Sequence, residues 1–145
     1  MPEPKLTEQQ KKEVARRAKQ CCEYCQSQVR FSPDPFSVEH IIPRSRGGTD
    51  DLSNLAFSCQ GCNNHKYTSV EAIDPISGET VQLFDPRRQK WNDHFVWNAD
   101  QRIVLGLTPV GRATVQKLRL NRAGLMNLRR VLHRIGEHPV LKGVS

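Results

Sequence analysis

Two cysteine pairs constrain the fold of this chain more than any other feature of its sequence. Cys22 and Cys25 are separated by two residues, and so are Cys59 and Cys62. This spacing lets paired thiolates bind one tetrahedral zinc ion. A redox site and unligated core cysteines are the alternatives, but redox chemistry needs only one such pair. We therefore predict a structural zinc site, whose four thiolates leave no open position for a substrate.

Size and composition fit one small domain, residues 1–145. Only 37% of the 145 residues are hydrophobic and the mean hydropathy is −0.62, so the core is thin and a structural metal would stabilise it. The odd count of five cysteines argues against a disulfide framework and leaves Cys21 as the spare. No apolar stretch approaches the roughly 18 residues of a membrane helix. Because the N-terminal sequence is also polar, we expect a cytoplasmic protein without a membrane partner.

An excess of positive charge favours an anionic partner. The formal net charge is +7, and nucleic acid is the commonest partner of a small basic domain, although a basic surface also aids solubility. Residues 112–142 contain eight basic residues and one acidic residue. This segment is either a solvated helix face or a surface that follows phosphates. Arg129 and Arg130 lie off the apolar stripe of the last predicted helix, so they are candidate nucleic-acid contacts.

Local patterns predict a strand, a loop, a second strand and a helix between and around the cysteine pairs. The strands span 36–42 and 55–58, and the loop between them, 44–51, is basic and contains glycines. The helix follows at 62–70. An N-terminal helix over 7–20 precedes this unit, with Thr7 as its N-cap and Gln10 completing a capping box. These elements predict an α+β fold.

Residues 71–145 predict a basic C-terminal extension that packs on this core. A hairpin is expected around Ser77-Gly78 and another within 91–107, because turn residues there separate short apolar runs. Thr108 and Pro109 mark the start of a helix that continues to about residue 120. Asn121 can cap a last, amphipathic helix, whose apolar positions are Leu125, Leu128, Leu132 and Ile135.

The sequence between the cysteine pairs resembles the HNH endonuclease family. The matching features are Glu39-His40 on the first strand, Ile-Pro and Gly-Gly after it, Asn54-Leu55 at the second strand, and Cys-x-x-Cys-Asn at the helix. The three motif positions are then His40, Asn54 and Asn63. The resemblance implies a ββα-metal nuclease core at residues 20–70, stapled by the zinc site.

His40 is the candidate general base for phosphodiester hydrolysis. An imidazole can accept a proton from water at neutral pH, while a cation neutralises charge on the phosphate. The resemblance implies that Glu39 binds this cation, Mg²⁺ or Mn²⁺. Strand geometry alone does not imply that role, because adjacent strand residues point to opposite faces.

Two asparagines complete the motif. The resemblance implies that Asn54 holds the loop and helps to orient His40 by hydrogen bonding. Asn63 can offer its amide oxygen to Mg²⁺, and His65 is the alternative ligand. Residues two apart on a helix face in different directions, so only one of the two is expected to reach the ion, and we favour Asn63.

Basic residues near the motif are candidate phosphate contacts. Lys66 shares a helix face with Asn63, and Arg44 and Arg46 lie on the loop. The sequence thus predicts a metal-dependent HNH endonuclease that acts on DNA. The alternatives are a zinc-stabilised nucleic-acid-binding module without catalysis and a zinc-containing adaptor for a protein partner.

Overall fold

The computed structural model describes residues 5–140. Within this range the fold is mixed, with five α-helices and three two-stranded antiparallel sheets, which confirms the α+β prediction. The helices are α1 (Glu8–Arg17), α2 (Gln60–Lys66), α3 (Trp91–His94), α4 (Pro109–Lys117) and α5 (Ala123–Arg134). The strands are β1 (Ser37–His40), β2 (Leu55–Ser58), β3 (Glu71–Ile73), β4 (Thr80–Gln82), β5 (Phe95–Trp97) and β6 (Val104–Gly106). Lys142 of the basic segment lies outside the described residues.

Helix α1 begins with the predicted capping box. The Thr7 hydroxyl accepts a hydrogen bond from the Gln10 amide at 3.1 Å, and the Gln10 side chain accepts one from the Thr7 amide at 2.8 Å. The buried side chain of Val14 packs with Leu55 and Phe57 of β2. The capped helix therefore covers one face of the central hairpin.

The central hairpin pairs β1 with β2, and His40 lies opposite Leu55. Both strands are short, and β1 ends at His40, before the end of the predicted span at 42, where the Ile42 amide is bound by the Asn54 side chain. Helix α2 starts directly after β2 and ends at Tyr67, whose backbone has a positive φ of 50°. The order β1, β2, α2 is the predicted ββα unit.

The second half of the chain packs against this unit. Buried Phe84, Phe95, Leu118 and Leu120 form one core with Tyr24 and with the four paired cysteines. Both predicted hairpins are present, as β3–β4 and β5–β6. The extension therefore supplies much of the apolar surface that buries the cysteine region.

The prediction that Asn121 caps the last helix is wrong. The N-cap of α5 is Arg122, without a side-chain capping bond. The Asn121 amide instead pairs with the backbone of Val104, accepting from its N–H at 2.8 Å and donating to its carbonyl at 2.9 Å. A tertiary contact with β6 thus takes the side chain that a local cap would use.

Every helix within residues 5–140 is too short or too polar to cross a lipid bilayer.

Candidate active site and metal centre

Four buried cysteines converge on one point, as their spacing predicts. The sulfurs of Cys22, Cys25, Cys59 and Cys62, hereafter the cysteine cluster, all lie within 4.8 Å of one another. The Cys25 and Cys59 sulfurs are 3.7 Å apart. Zinc–sulfur bonds of about 2.3 Å in a tetrahedron place sulfurs about 3.8 Å apart, so the cluster fits one tetrahedral metal ion. Cys21 is buried outside it, with its sulfur 3.4 Å from the Lys19 carbonyl oxygen.

Backbone amides and one arginine surround the cluster with positive charge. The Cys25 and Cys62 amides each donate to a cluster sulfur at 3.4 Å. The guanidinium of Arg122 lies 3.4 Å from the Cys59 sulfur and 3.6 Å from the Cys62 sulfur. Burial disfavours its charge, but these sulfurs raise the pKa of Arg122 above its ordinary value. This environment stabilises thiolates, the form in which cysteine binds metal.

A Cβ at position 61 would meet the Arg122 guanidinium at 2.4 Å. Gly61 therefore leaves the space through which Arg122 reaches the sulfurs. This contact joins α2 to the turn before α5.

His40 lies at the end of β1, where a loop acid holds its ring. Its Nε2 atom lies 2.7 Å from Oδ1 of Asp50, and 17% of the side chain is exposed. Arg44 also donates to Asp50, at 2.9 Å and 3.0 Å. The His40 and Arg44 contacts lower the pKa of Asp50, so the carboxylate is ionised at neutral pH and accepts a hydrogen bond from His40 Nε2. In the tautomer whose Nε2 donates, Nδ1 is the acceptor nitrogen of the imidazole.

Asn54 closes the loop that carries Asp50. Its side-chain oxygen accepts from the Ile42 amide at 2.9 Å, and its NH₂ group donates to the carbonyls of Ile42 at 3.0 Å and Thr49 at 2.8 Å. A Cβ at Gly48 would lie 1.6 Å from the Ile42 carbonyl oxygen, so only glycine fits there. Asn54 thus holds the loop, whereas the side chain that orients the His40 ring is Asp50.

The Asp50 contact was missed in the sequence interpretation. The signal was available in Gly47-Gly48-Thr49-Asp50, where two glycines precede an acid. A tight turn of this kind can return a short carboxylate toward the strand that precedes it. The distance that decides the contact is tertiary, however, and the sequence does not encode it locally.

Glu39 points into the protein interior and is closed off from solvent. Only 6% of the residue is exposed. Its Oε1 accepts from the Tyr24 hydroxyl, and its Oε2 lies 3.1 Å from the ammonium nitrogen of Lys66. Burial raises the pKa of Glu39, against the opposing effects of Lys66 and Tyr24. Both carboxylate oxygens therefore already have partners.

This geometry corrects the prediction for Lys66. The side chain is buried rather than exposed to a phosphate, and its ammonium group also donates to the Ile41 carbonyl at 3.0 Å. Lys66 faces β1, and its partner is a carboxylate inside the protein. A lysine this deep needs an ionic partner, and Glu39 supplies it.

The segment that contains the cysteine cluster and His40 is similar to a known protein family. Residues 22–69 match the family model described as HNH endonuclease. These matched residues, 22–69, are referred to below as the HNH domain. No curated protein and no solved structure matches the chain. The matched range includes the cysteine cluster and the three motif residues, and it covers β1, β2 and α2, so the HNH domain and the ββα unit coincide.

The other candidate metal ligands of the HNH domain lie on α2. Asn63 is half-buried and His65 is half-buried. Burial lowers the pKa of His65, and the charges of Arg122 and Arg119 lower it further. Within residues 5–140, the cysteine cluster is the only group of three or more cysteine, histidine or acidic side chains spaced for a metal ion.

The arginines predicted to contact nucleic acid differ in their exposure to solvent. Arg46 and Arg130 are exposed, whereas Arg44 is half-buried beside Asp50. The prediction that Arg129 contacts nucleic acid is wrong, because only 4% of this residue is exposed. Its guanidinium donates to the carbonyls of Leu120 at 2.6 Å and Arg102 at 2.9 Å and lies over the Trp97 ring.

The error at Arg129 has a helical cause. Leu125 and Leu132 are buried on α5, and Arg129 lies four residues after the first and three before the second. It therefore shares their face. Its methylene groups extend the apolar stripe while the charged end reaches backbone oxygens.

Proposed function

We propose that this protein is a nuclease that hydrolyses phosphodiester bonds in DNA, with His40 as the general base. The observation that carries the proposal is the 2.7 Å contact between His40 Nε2 and the ionised Asp50 carboxylate, at a partly exposed position of the HNH domain. A base must be both oriented and reachable by water. His40 meets both conditions.

The proposed mechanism uses the two nitrogens of His40 differently. Asp50 accepts a hydrogen bond from the Nε2–H group, which fixes the tautomer and the ring orientation. Nδ1 then takes a proton from the water that attacks phosphorus. The P–O bond to the departing sugar oxygen breaks, and that oxygen takes up a proton from solvent. Arg44 keeps Asp50 ionised and Asn54 keeps the loop closed, so both act as positioning residues.

We also propose that the cysteine cluster holds zinc. Four thiolates with tetrahedral spacing favour zinc, and a shell of four protein ligands leaves no site for substrate. The ion would join the chain before β1 to the start of α2 and so preorganise the HNH domain. Thiols available for a metal are typical of a reducing compartment, so we propose a cytoplasmic location.

The HNH resemblance also implies a divalent cation, Mg²⁺ or Mn²⁺, at Glu39 together with Asn63 or His65. These residues do not fit such an ion while Lys66 is in place, since Tyr24 and Lys66 bind the two Glu39 oxygens. The mechanism above therefore assigns no step to the ion. Its requirement in the reaction remains part of the proposal and is tested by adding it.

Contacts with DNA are proposed for Arg46 and Arg130, which are exposed, and for the outer edge of Arg44. These arginines would bind phosphates without reading sequence. The net charge of +7 supports such a role. Affinity should accordingly fall steeply as salt concentration rises.

A second candidate function is nucleic-acid binding without catalysis. The closed Glu39–Lys66 pair favours it, because a non-catalytic module has no need of an open cation site. This alternative predicts salt-sensitive DNA binding and no cleavage under any metal condition.

Cleavage of plasmid DNA with Mg²⁺ or Mn²⁺ tests the proposal. We expect His40→Ala to lower the cleavage rate by about 10²–10⁴-fold, the usual contribution of a general base. Asp50→Asn should lower kcat by about 10–100-fold, because the ring loses its orienting partner. His133→Ala, an exposed histidine on α5, is the matched control and should cleave like wild type. Equal cleavage by His40→Ala and by wild type, each purified on the same column sequence, would refute the role of His40.

A further inference from the structure

The ammonium group of Lys66 occupies a site made of oxygen atoms. Its nitrogen lies 3.1 Å from Glu39 Oε2, 3.0 Å from the Ile41 carbonyl oxygen and 3.5 Å from the His40 carbonyl oxygen. One carboxylate and two carbonyls are the donor types that hard cations such as Mg²⁺ and Mn²⁺ prefer. The same oxygens would therefore suit an inorganic cation.

Position and burial make this arrangement more than a surface ion pair. Only 2% of the Lys66 side chain and 6% of the Glu39 side chain are exposed. The Tyr24 hydroxyl binds the second Glu39 oxygen, so the carboxylate is fixed in direction. Lys66 fills the oxygen site at the distances of an ammonium group.

A groove beside the oxygen site has room for the displaced Lys66 side chain. It has a volume of about 440 Å³, and Ile41, Ile42, Arg46, Lys66 and Val70 are among the residues that line it. Lys66 is the last residue of α2, and the backbone turns sharply at Tyr67. A flexible four-carbon side chain at a helix end can leave the oxygens and enter the groove without moving the strand.

We infer that Lys66 is a built-in cation that competes with a divalent metal ion for the oxygen site at Glu39. In the free protein the ammonium group holds the site closed, and a divalent ion binds only when it displaces the lysine. This inference rests on the proposed function for the identity of the ion, but it concerns binding and can be tested without DNA. Failure to cleave DNA would leave it standing, and failure of the competition would leave the role of His40 standing.

Manganese binding to the zinc-loaded protein provides the first test. We would measure free Mn²⁺ by electron paramagnetic resonance during titration of wild type and Lys66→Met, which keeps the length of the side chain and removes its charge. We expect Lys66→Met to bind one Mn²⁺ at least tenfold more tightly than wild type. Arg46→Met is the matched control, because it removes a cation from the rim of the same groove without touching Glu39.

A second substitution identifies the site. Glu39→Gln in the Lys66→Met background should abolish the gain in Mn²⁺ affinity. Equal affinities of wild type and Lys66→Met would overturn the inference, and so would a gain that persists without the Glu39 carboxylate or that Arg46→Met reproduces.

Wild-type protein allows a measurement that does not depend on a variant folding. Reductive methylation followed by peptide mass spectrometry reports how accessible each lysine is. We expect Lys66 to be protected without divalent ions and to become reactive in excess Mg²⁺, while the exposed Lys90 reacts equally in both conditions. Protection of Lys66 under both conditions, or reactivity under both, would overturn the inference.

Discussion

Glu39 and His40 are neighbours on one short strand, yet their surroundings are opposites. His40 faces a loop, is partly exposed and is held by one carboxylate. Glu39 faces α2, is buried and is held by a lysine and a tyrosine. The alternation of side chains along β1 creates this difference. We call the face of β1 with the partly exposed His40 the open face, and the face with the buried Glu39–Lys66 pair the closed face.

The pKa directions follow the same division. The contacts with His40 and Arg44 lower the pKa of Asp50, which serves the open face. Burial raises the pKa of Glu39 on the closed face, where an ionised group costs solvation free energy. The two faces thus differ in electrostatics as well as in exposure.

Removal of one cluster cysteine should disrupt both faces of β1 and have the largest effect on stability. Structural zinc contributes roughly 10 kcal/mol or more of apparent binding free energy, comparable with the whole stability of a small domain, about 5–15 kcal/mol. We therefore expect Cys59→Ser to lose zinc and most of its folded structure. Circular dichroism and a zinc assay measure this.

Cys21→Ser is the matched control for that variant, since Cys21 is buried outside the cluster. It should keep both zinc and fold. A Cys59→Ser protein that is folded and free of zinc would contradict the claim that the cluster holds the HNH domain together.

Disruption of the closed face alone should have an intermediate effect. Glu39→Ala leaves the Lys66 ammonium group buried without its carboxylate, a change that costs about 3–5 kcal/mol in buried pairs. The double variant Glu39→Leu with Lys66→Met removes both charges and should recover much of the loss. Urea unfolding midpoints measure both effects.

The exposed pair on α1 provides the control for that experiment. Glu13 and Arg16 have exposed side chains, so Glu13→Ala should leave the unfolding midpoint almost unchanged. A loss of stability in Glu39→Ala no larger than that in Glu13→Ala would show that the buried pair is not a structural requirement.

Acidification should have the smallest effect on stability, through the Asp50 carboxylate on the open face. The pKa of Asp50 is lowered by folding, so its contribution to stability is present above the ordinary value of about 3.9 and is lost as pH falls through the lowered value. Asp50→Asn has no such contribution to lose. The difference in urea midpoint between the two proteins should therefore shrink as pH is lowered from about 6 to about 3. A difference that stays constant would show that the carboxylate charge is not what matters.

Local signals predicted the elements of the fold well. The Thr7 capping box, the Thr108-Pro109 helix start and the turn residues of both hairpins act within a few positions of the chain. The cysteine spacing also reports a local requirement, because two ligands from one turn must reach one ion. The structure has each of these features.

The partners of the charged side chains were much harder to predict. Lys66, Arg129 and Asp50 each bind a group that is distant in sequence or reached only through a folded loop. Charge alone indicated solvent or phosphate for the two cations, since most lysines and arginines are exposed. Lys66 binds oxygens of Glu39 and Ile41, and Arg129 binds the carbonyls of Arg102 and Leu120, so the burial of both cations depends on tertiary contacts.

The loop that carries Asp50 also restricts how this sequence can vary. Gly47 has a φ of 86° with open space around the position of a Cβ, whereas the Cβ position of Gly48 is filled by the Ile42 carbonyl. Asparagine tolerates a positive φ, so Gly47→Asn should cost little folding free energy. At position 48 no residue with a Cβ atom fits. Two adjacent glycines of identical chemistry thus meet different structural requirements, one for a dihedral angle and the other for an empty volume.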